Sequence, residues 1–218
     1  MSVPSRVRTA WIAATGMYRP HVASMTRILG LVILASSLVS PLSRAQAPVY
    51  TITQQDSSVN FSVSASIAIA GKFDKWDATL TFSSPNVTSG VLDIKAQAAS
   101  VDTGSGMKDD TLRSSDFFNA DHDPYITFHS TKFVRTGSTT FDIPGIFTIR
   151  GVSRPQTLKL TVSDDETGSG ELVGTMAFDR KDYGVDGSIL FLRIANRVEV
   201  TVDLHAKRVG GPPLIFKK

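Results

Sequence analysis

Apolar residues along most of this chain fall on every second position, with polar residues between them. The runs are Val59, Phe61 and Val63; Trp76, Ala78, Leu80 and Phe82; Leu92, Ile94 and Ala96; Ile126 and Phe128; Leu158, Leu160 and Val162; Leu172, Gly174, Met176 and Phe178; and Val198, Val200, Val202 and Leu204. Side chains alternate across a strand, so this rhythm predicts strands with one dry face and one wet face. Turn chemistry separates them, as at Ser84-Pro85-Asn86, Thr136-Gly137-Ser138, Asp164 to Gly168, and Asp186-Gly187. No long segment keeps a 3.6-residue apolar rhythm, which confines helix to an apolar segment near the start and a turn or two between Met107 and Asn119. The chain is therefore all-β and mainly antiparallel. Roughly eight such strands fit a closed barrel or a two-sheet sandwich, and alternation does not choose between them.

The N-terminal region departs from this pattern. It carries Arg6, Arg8 and Arg19 with no acid, and Met1, Met17 and Met25 offer three starts, of which Met25 is the expected one. From there Arg27 supplies a charged segment, Ile28 to Val39 an apolar run, and Ser43-Arg44-Ala45 a small-x-small cleavage site, together a secretory signal cut after Ala45. The apolar run is too short to span a bilayer. The expected division is residues 1–45 as extension and signal, 46–209 as one β-barrel domain once the motifs below are weighed, and 210–218 as a flexible tail opened by Gly210-Gly211-Pro212-Pro213. The first 45 residues hold five of the 23 basic residues and none of the 20 acidic ones, leaving 18 against 20. A slightly acidic domain without a basic block argues against nucleic acid as a partner. There is no cysteine, so the fold relies on its core alone. The expected location is the periplasm or the exterior.

Nothing in the pattern assembles a catalytic site. Gly151-Val152-Ser153-Arg154-Pro155 comes nearest to a nucleophile elbow, but it ends in proline and lies in a predicted hairpin rather than a strand-to-helix turn. His129 and His205 fall on the polar phase beside Phe128 and Leu204, and His122 sits in an Asp-rich loop. A hydrolytic metal site can be drawn from Asp121, His122 and His129, since imidazole and carboxylate are zinc ligands. Their spacing matches no tight ligand pattern, and acids before Pro124 are ordinary turn chemistry.

Four segments carry more specific information. Lys108 to Thr131 reads KDDTLRSSDFFNADHDPYITFHST; Phe61-Ser62-Val63 precedes Gly71-Lys72-Phe73-Asp74; Phe147 to Pro155 reads FTIRGVSRP; and Asp179 to Val185 reads DRKDYGV. In this order they resemble the motifs of the YceI-like polyisoprenoid-binding family of secreted bacterial proteins, from Tyr50 to Arg208. Lys108 and Thr111 stand where Arg and His are usual, and Ala65 where a His is frequent.

The resemblance implies an eight-stranded antiparallel lipocalin-like β-barrel with a short helical loop, taking a long isoprenoid or fatty chain into its interior. On that reading Phe61, Val63, Trp76, Leu80, Leu92, Ile94, Phe128, Met176, Phe178, Val200 and Leu204 line the cavity, and Phe117 and Phe118 close one end. Eight strands leave an interior that side chains either fill or share with one slender ligand, so a non-catalytic stress-response or interaction module with a filled core remains the alternative reading of the same residues. Arg113, Arg150, Arg154 and Arg180 are either a rim for a headgroup or surface charge paired with neighbouring acids. No cofactor or reaction is implied; an isoprenoid quinone would be cargo. The reading allows transient membrane contact and leaves open whether the protein is a dimer.

Overall fold

The computed structural model describes residues 46–66, 68–164, 168–188 and 193–216. The expected start, signal segment and cleavage site lie outside these residues. Twelve strands follow in order: β1 (Val49–Ile52), β2 (Ser58–Ala65), β3 (Ile69–Phe73), β4 (Trp76–Phe82), β5 (Gly90–Gln97), β6 (Val101–Asp102), β7 (Tyr125–Ser130), β8 (Val134–Arg135), β9 (Thr140–Ile149), β10 (Val152–Asp164), β11 (Ser169–Asp179) and β12 (Ile194–Gly210). Helix α1 (Gly106–Arg113) lies between β6 and β7. It is the one α-helix among the described residues, and none is long and apolar enough to cross a membrane.

These twelve pieces make eight barrel strands. β1 with β2, β3 with β4, β5 with β6, and β7 with β8 each form one bent strand, because both pieces face the same neighbours. Thus β4 and β3 pair successively with β5 and β6, and β7 and β8 pair with β9. From β9 onward each strand pairs antiparallel with the next. The seventeen-residue β12 then pairs through its other edge with both β1 and β2, closing a barrel of next-neighbour strands. Closure removes the long free edges that would pair with another chain; among the described strands the two-residue β6 and β8 each keep one partner.

The bends occur where side chains replace ladder bonds. Between β1 and β2 the chain turns through Gln54–Asp56. There Gln54 Nε2 donates to the Trp76 carbonyl at 2.6 Å, and Ser57 Oγ accepts from the His205 N–H at 2.8 Å. At the end of β7 the buried Ser130 hydroxyl accepts from the Leu92 N–H at 2.7 Å. Gly71 lies within β3, where a side chain would meet the Phe61 ring, and the turn into β4 falls at Asp74-Lys75.

Inward positions stack in layers. Leu92, Ile143 and Leu204 at 0 % exposure, with Leu160 at 1 %, form a solid middle layer. Gly174 shares the inward phase because a Cβ there would lie 2.8 Å from Val202 Cγ2 and 2.9 Å from Leu158 Cδ2. Below this layer Tyr50, Phe82, Phe133 and Phe141 form a chain of ring contacts. After Gly210 the described chain, as far as Phe216, packs against the barrel. Ile215 exchanges backbone hydrogen bonds with Pro85 and Val87, and Leu214 and Phe216 pack on the core, covering the lower end.

The middle layer gives a stability test. Leu204→Ala deletes a fully buried side chain from a layer with no room to collapse, and should lower the unfolding free energy by about 2–5 kcal/mol. Urea denaturation measures this; a loss under about 1 kcal/mol would show the layer to be loosely packed.

Candidate functional site

The upper end of the barrel carries α1 and the loops after β2, β9 and β11. Helix α1 is tied down from both ends. The buried Asp109 carboxylate accepts from the Thr103 N–H at 2.8 Å and hydroxyl at 2.7 Å. Arg113 donates to the carbonyls of Ala99 at 2.9 Å and Val101 at 3.0 Å. The chain then folds back, with the Phe118 N–H on the Leu112 carbonyl at 2.9 Å and Asn119 in the left-handed region at φ 53°. That reversal turns Leu112, Phe117 and Phe118 into the barrel mouth, where all three are buried.

Two aromatic groups meet there. Phe118 stands 6.3 Å from Phe61 and 6.0 Å from Phe73, centroid to centroid. Opposite, Phe147, Phe178 and Tyr183 lie 5.0–5.4 Å from one another. Phe117 rests on Gly187, where any Cβ would come within 2.3 Å of its ring, and the Gly187 N–H donates to the Asp116 carbonyl at 3.0 Å. The loop after α1 is thereby fastened to the loop after β11.

Between these groups and the middle layer lies a cavity of about 90 Å³. Its wall is apolar apart from Thr127 and Arg180. Of the residues expected to line it, Phe61, Val63, Ile94, Phe117, Phe118, Phe128, Met176, Phe178 and Val200 border the space. Trp76, Leu80, Leu92 and Leu204 do not: Leu92 and Leu204 belong to the middle layer, Leu80 faces a void of about 30 Å³ near the tail, and Trp76 is buried elsewhere in the core. Ile69, Phe73, Phe147 and Ile149, outside the alternation read from the sequence, also line it, as does Val198, which belongs to that alternation but was not among the expected lining. The signal for Phe147 and Ile149 was present as the series Phe141, Ile143, Gly145, Phe147, Ile149, masked by Pro144 and Gly145.

Three of the four arginines hold loops in place. Arg150 donates to the Gly184 carbonyl, Arg154 to Asp182 O at 2.6 Å, and Arg113 to the carbonyls above, so each ties a loop to the barrel. Only Arg113 has a described carboxylate partner, Asp110, at 3.0 Å. Arg180 alone of the four borders the cavity. Arg150 occupies the left-handed region at φ 54°, followed by Gly151 at φ 71°, which fits the hairpin between β9 and β10 to the twist of its strands.

The drawn metal site does not assemble. His129 Nδ1 contacts Asp93 on the outer face, and Asp121, His122 and His129 form no ligand group among the described residues. The one such group there is Glu171, Asp203 and His205, all half-exposed, on the outer face of β11 and β12.

A closed eight-stranded meander with an apolar cavity beneath the loops of one end is a lipocalin-like barrel. Within that class the chain belongs to the family of the YceI-like domain, whose model matches residues 50–206. Among curated relatives it is 28 % identical to a UPF0312 protein of Shewanella sp. (strain MR-4) over 174 residues, covering 74 % of this chain and 88 % of the relative. With a UPF0312 protein of Shewanella denitrificans the identity is 30 % over 162 residues, 70 % of this chain and 84 % of the relative. Its fold is similar to that of Burkholderia cenocepacia BcnA, with a TM-score of 0.65 at 22 % identity over 71 % of this chain and 98 % of the other. It is also similar to a polyisoprenoid binding domain from Saccharophagus degradans, with a TM-score of 0.60 at 16 % identity over 74 % and 99 %.

Tyr183 anchors the mouth and titrates. Burial pushes its phenol above the ordinary 10.0, against a weaker opposing hydrogen bond from Gln156 Nε2 at 3.1 Å. The folded state holds this proton more tightly than the unfolded chain, so the contribution is intact below pH 10 and lost as pH climbs through the raised value. Urea midpoints measured from pH 8 upward should fall more steeply above pH 10 for the wild type than for Tyr183→Phe; parallel profiles would contradict this.

Proposed function

We propose that the protein is an exported, non-catalytic carrier that holds a polyisoprenoid, such as an isoprenoid quinone, or a similar long-chain amphiphile in the upper barrel for transport, storage or sequestration. The observation that carries this reading is the cavity wall, where 22 of 24 lining residues are apolar. Such a wall offers a hydrocarbon chain dispersion contacts and release from water, and offers a polar metabolite almost nothing. Each isoprene unit hides five carbons at about 0.8 kcal/mol per carbon group, so two to four units approach the roughly 8 kcal/mol of micromolar binding after ordering costs. The likeness to the Saccharophagus domain supports the same ligand class.

The space present takes a short stretch of chain, since one water needs about 10–15 Å³ by the same measure. A longer chain enters by rotation of the Phe61 and Phe118 rings, which meet edge to face across the mouth. Discrimination among hydrocarbon tails then follows the width and depth of the cavity. Periplasmic residence accords with the signal segment and the absence of cysteine.

Organic extraction of protein purified without detergent should yield a long-chain lipid. Geranylgeraniol at about a hundred times its dissociation constant should add about 2.7 kcal/mol of stability and raise the melting temperature by roughly 5–10 °C. An empty extract together with an unmoved melting temperature would defeat the carrier reading. The double variant Phe117→Asp, Phe118→Asp should weaken prenyl alcohol binding at least about tenfold, since charge at the mouth opposes burial of the chain; unchanged affinity in a folded double variant would remove these rings from the site.

A further inference from the structure

The exception in the cavity wall is a cation. Arg180 follows β11 directly, is only 8 % exposed, and borders a space otherwise lined by hydrocarbon and Thr127. Its Nε donates to the Ala195 carbonyl at 3.2 Å, and its Nη1 to the carbonyls of Val185 at 2.6 Å and Gly187 at 2.9 Å. These bonds hold the guanidinium in place but do not neutralise it. No described residue accepts from Nη2, and no described carboxylate pairs with Arg180. Asp179, Asp182 and Asp186, the acids nearest in sequence, are exposed. Arg113, Arg150 and Arg154 are each less buried, so a charge placed this deep in the wall is peculiar to Arg180.

A buried guanidinium remains charged at any ordinary pH and is costly to hold without a counter-ion. Its fork of donors matches an oxyanion. Resting on the carrier reading above, we propose that Arg180 selects cargo by its headgroup: it takes the oxyanion of an amphiphile, a carboxylate or a phosphate monoester, while the apolar tail runs down toward Leu158 and Val202. The cavity wall fixes the polarity of the bound molecule, head at the mouth and tail on the middle layer. An alcohol of the same chain length fills the same space but leaves the cation unpaired.

The test is competition binding on the delipidated protein against a fluorescent prenyl alcohol, with two matched pairs: hexadecanoate and hexadecanol, and farnesyl phosphate and farnesol. In the wild type at least one oxyanion should bind about tenfold tighter than its alcohol. A preference confined to the first pair assigns the site to fatty acids, and one confined to the second assigns it to prenyl phosphates; either supports the proposal. Arg180→Gln should bring the favoured oxyanion down to the affinity of its alcohol, and Arg180→Lys should retain part of the preference. If Arg180→Gln does not fold, the wild-type ratio and its reduction in Arg180→Lys decide. Equal affinities within both pairs in the wild type, or a ratio that survives Arg180→Gln, would overturn the headgroup assignment and leave the carrier reading standing. Failure of all four compounds to bind would overturn both.

Discussion

Closure of the sheet through β12 is the constraint on which everything else rests. Seventeen residues run the full height of the barrel, bonded on one side to β11 and on the other to the two halves of the broken first strand. That one strand settles two matters together. It removes the long free edges of the sheet, and it commits every inward side chain of eight strands to a common interior too small to share with bulk water. A sandwich built from the same strands would press two faces together and leave no tube.

Much of the fold was legible in the sequence because strand periodicity reports directly on which face a residue occupies. Phe61, Ile94, Phe128, Met176, Phe178 and Val200 point inward as their alternation requires. Alternation is blind to height along the barrel axis. Leu92 and Ile94 have the same phase, as do Val200 and Leu204, yet one of each pair borders the cavity and the other lies in the packed layer beneath it. The choice of barrel over sandwich came from motif resemblance, since the pairing of β12 with β1 and β2 joins residues about 150 positions apart, as Tyr50 with Arg208. The arginines were illegible for another reason. Their partners are backbone carbonyls of Ala99, Asp182, Gly184 and Val185, and a carbonyl leaves no mark in the letters.

The two ends of the molecule differ in how they are built. At the lower end aromatic rings and the C-terminal segment pack against one another, in the manner of any protein interior. At the upper end long polar side chains reach across to hold loops whose own apolar residues, Leu112, Phe117 and Phe118, are turned inward. The mouth is thus assembled from pieces each fastened by a few directional bonds, and such bonds yield individually where close packing yields only as a whole.

The solid layer of Leu92, Ile143, Leu160 and Leu204 makes the tube blind. A guest that arrives through the loops has to back out through them, and its first-seated end is the last to leave. On the proposed carrier role, supplier and recipient address the same face of the protein in turn, never both at once, as a shuttle does and a conduit does not.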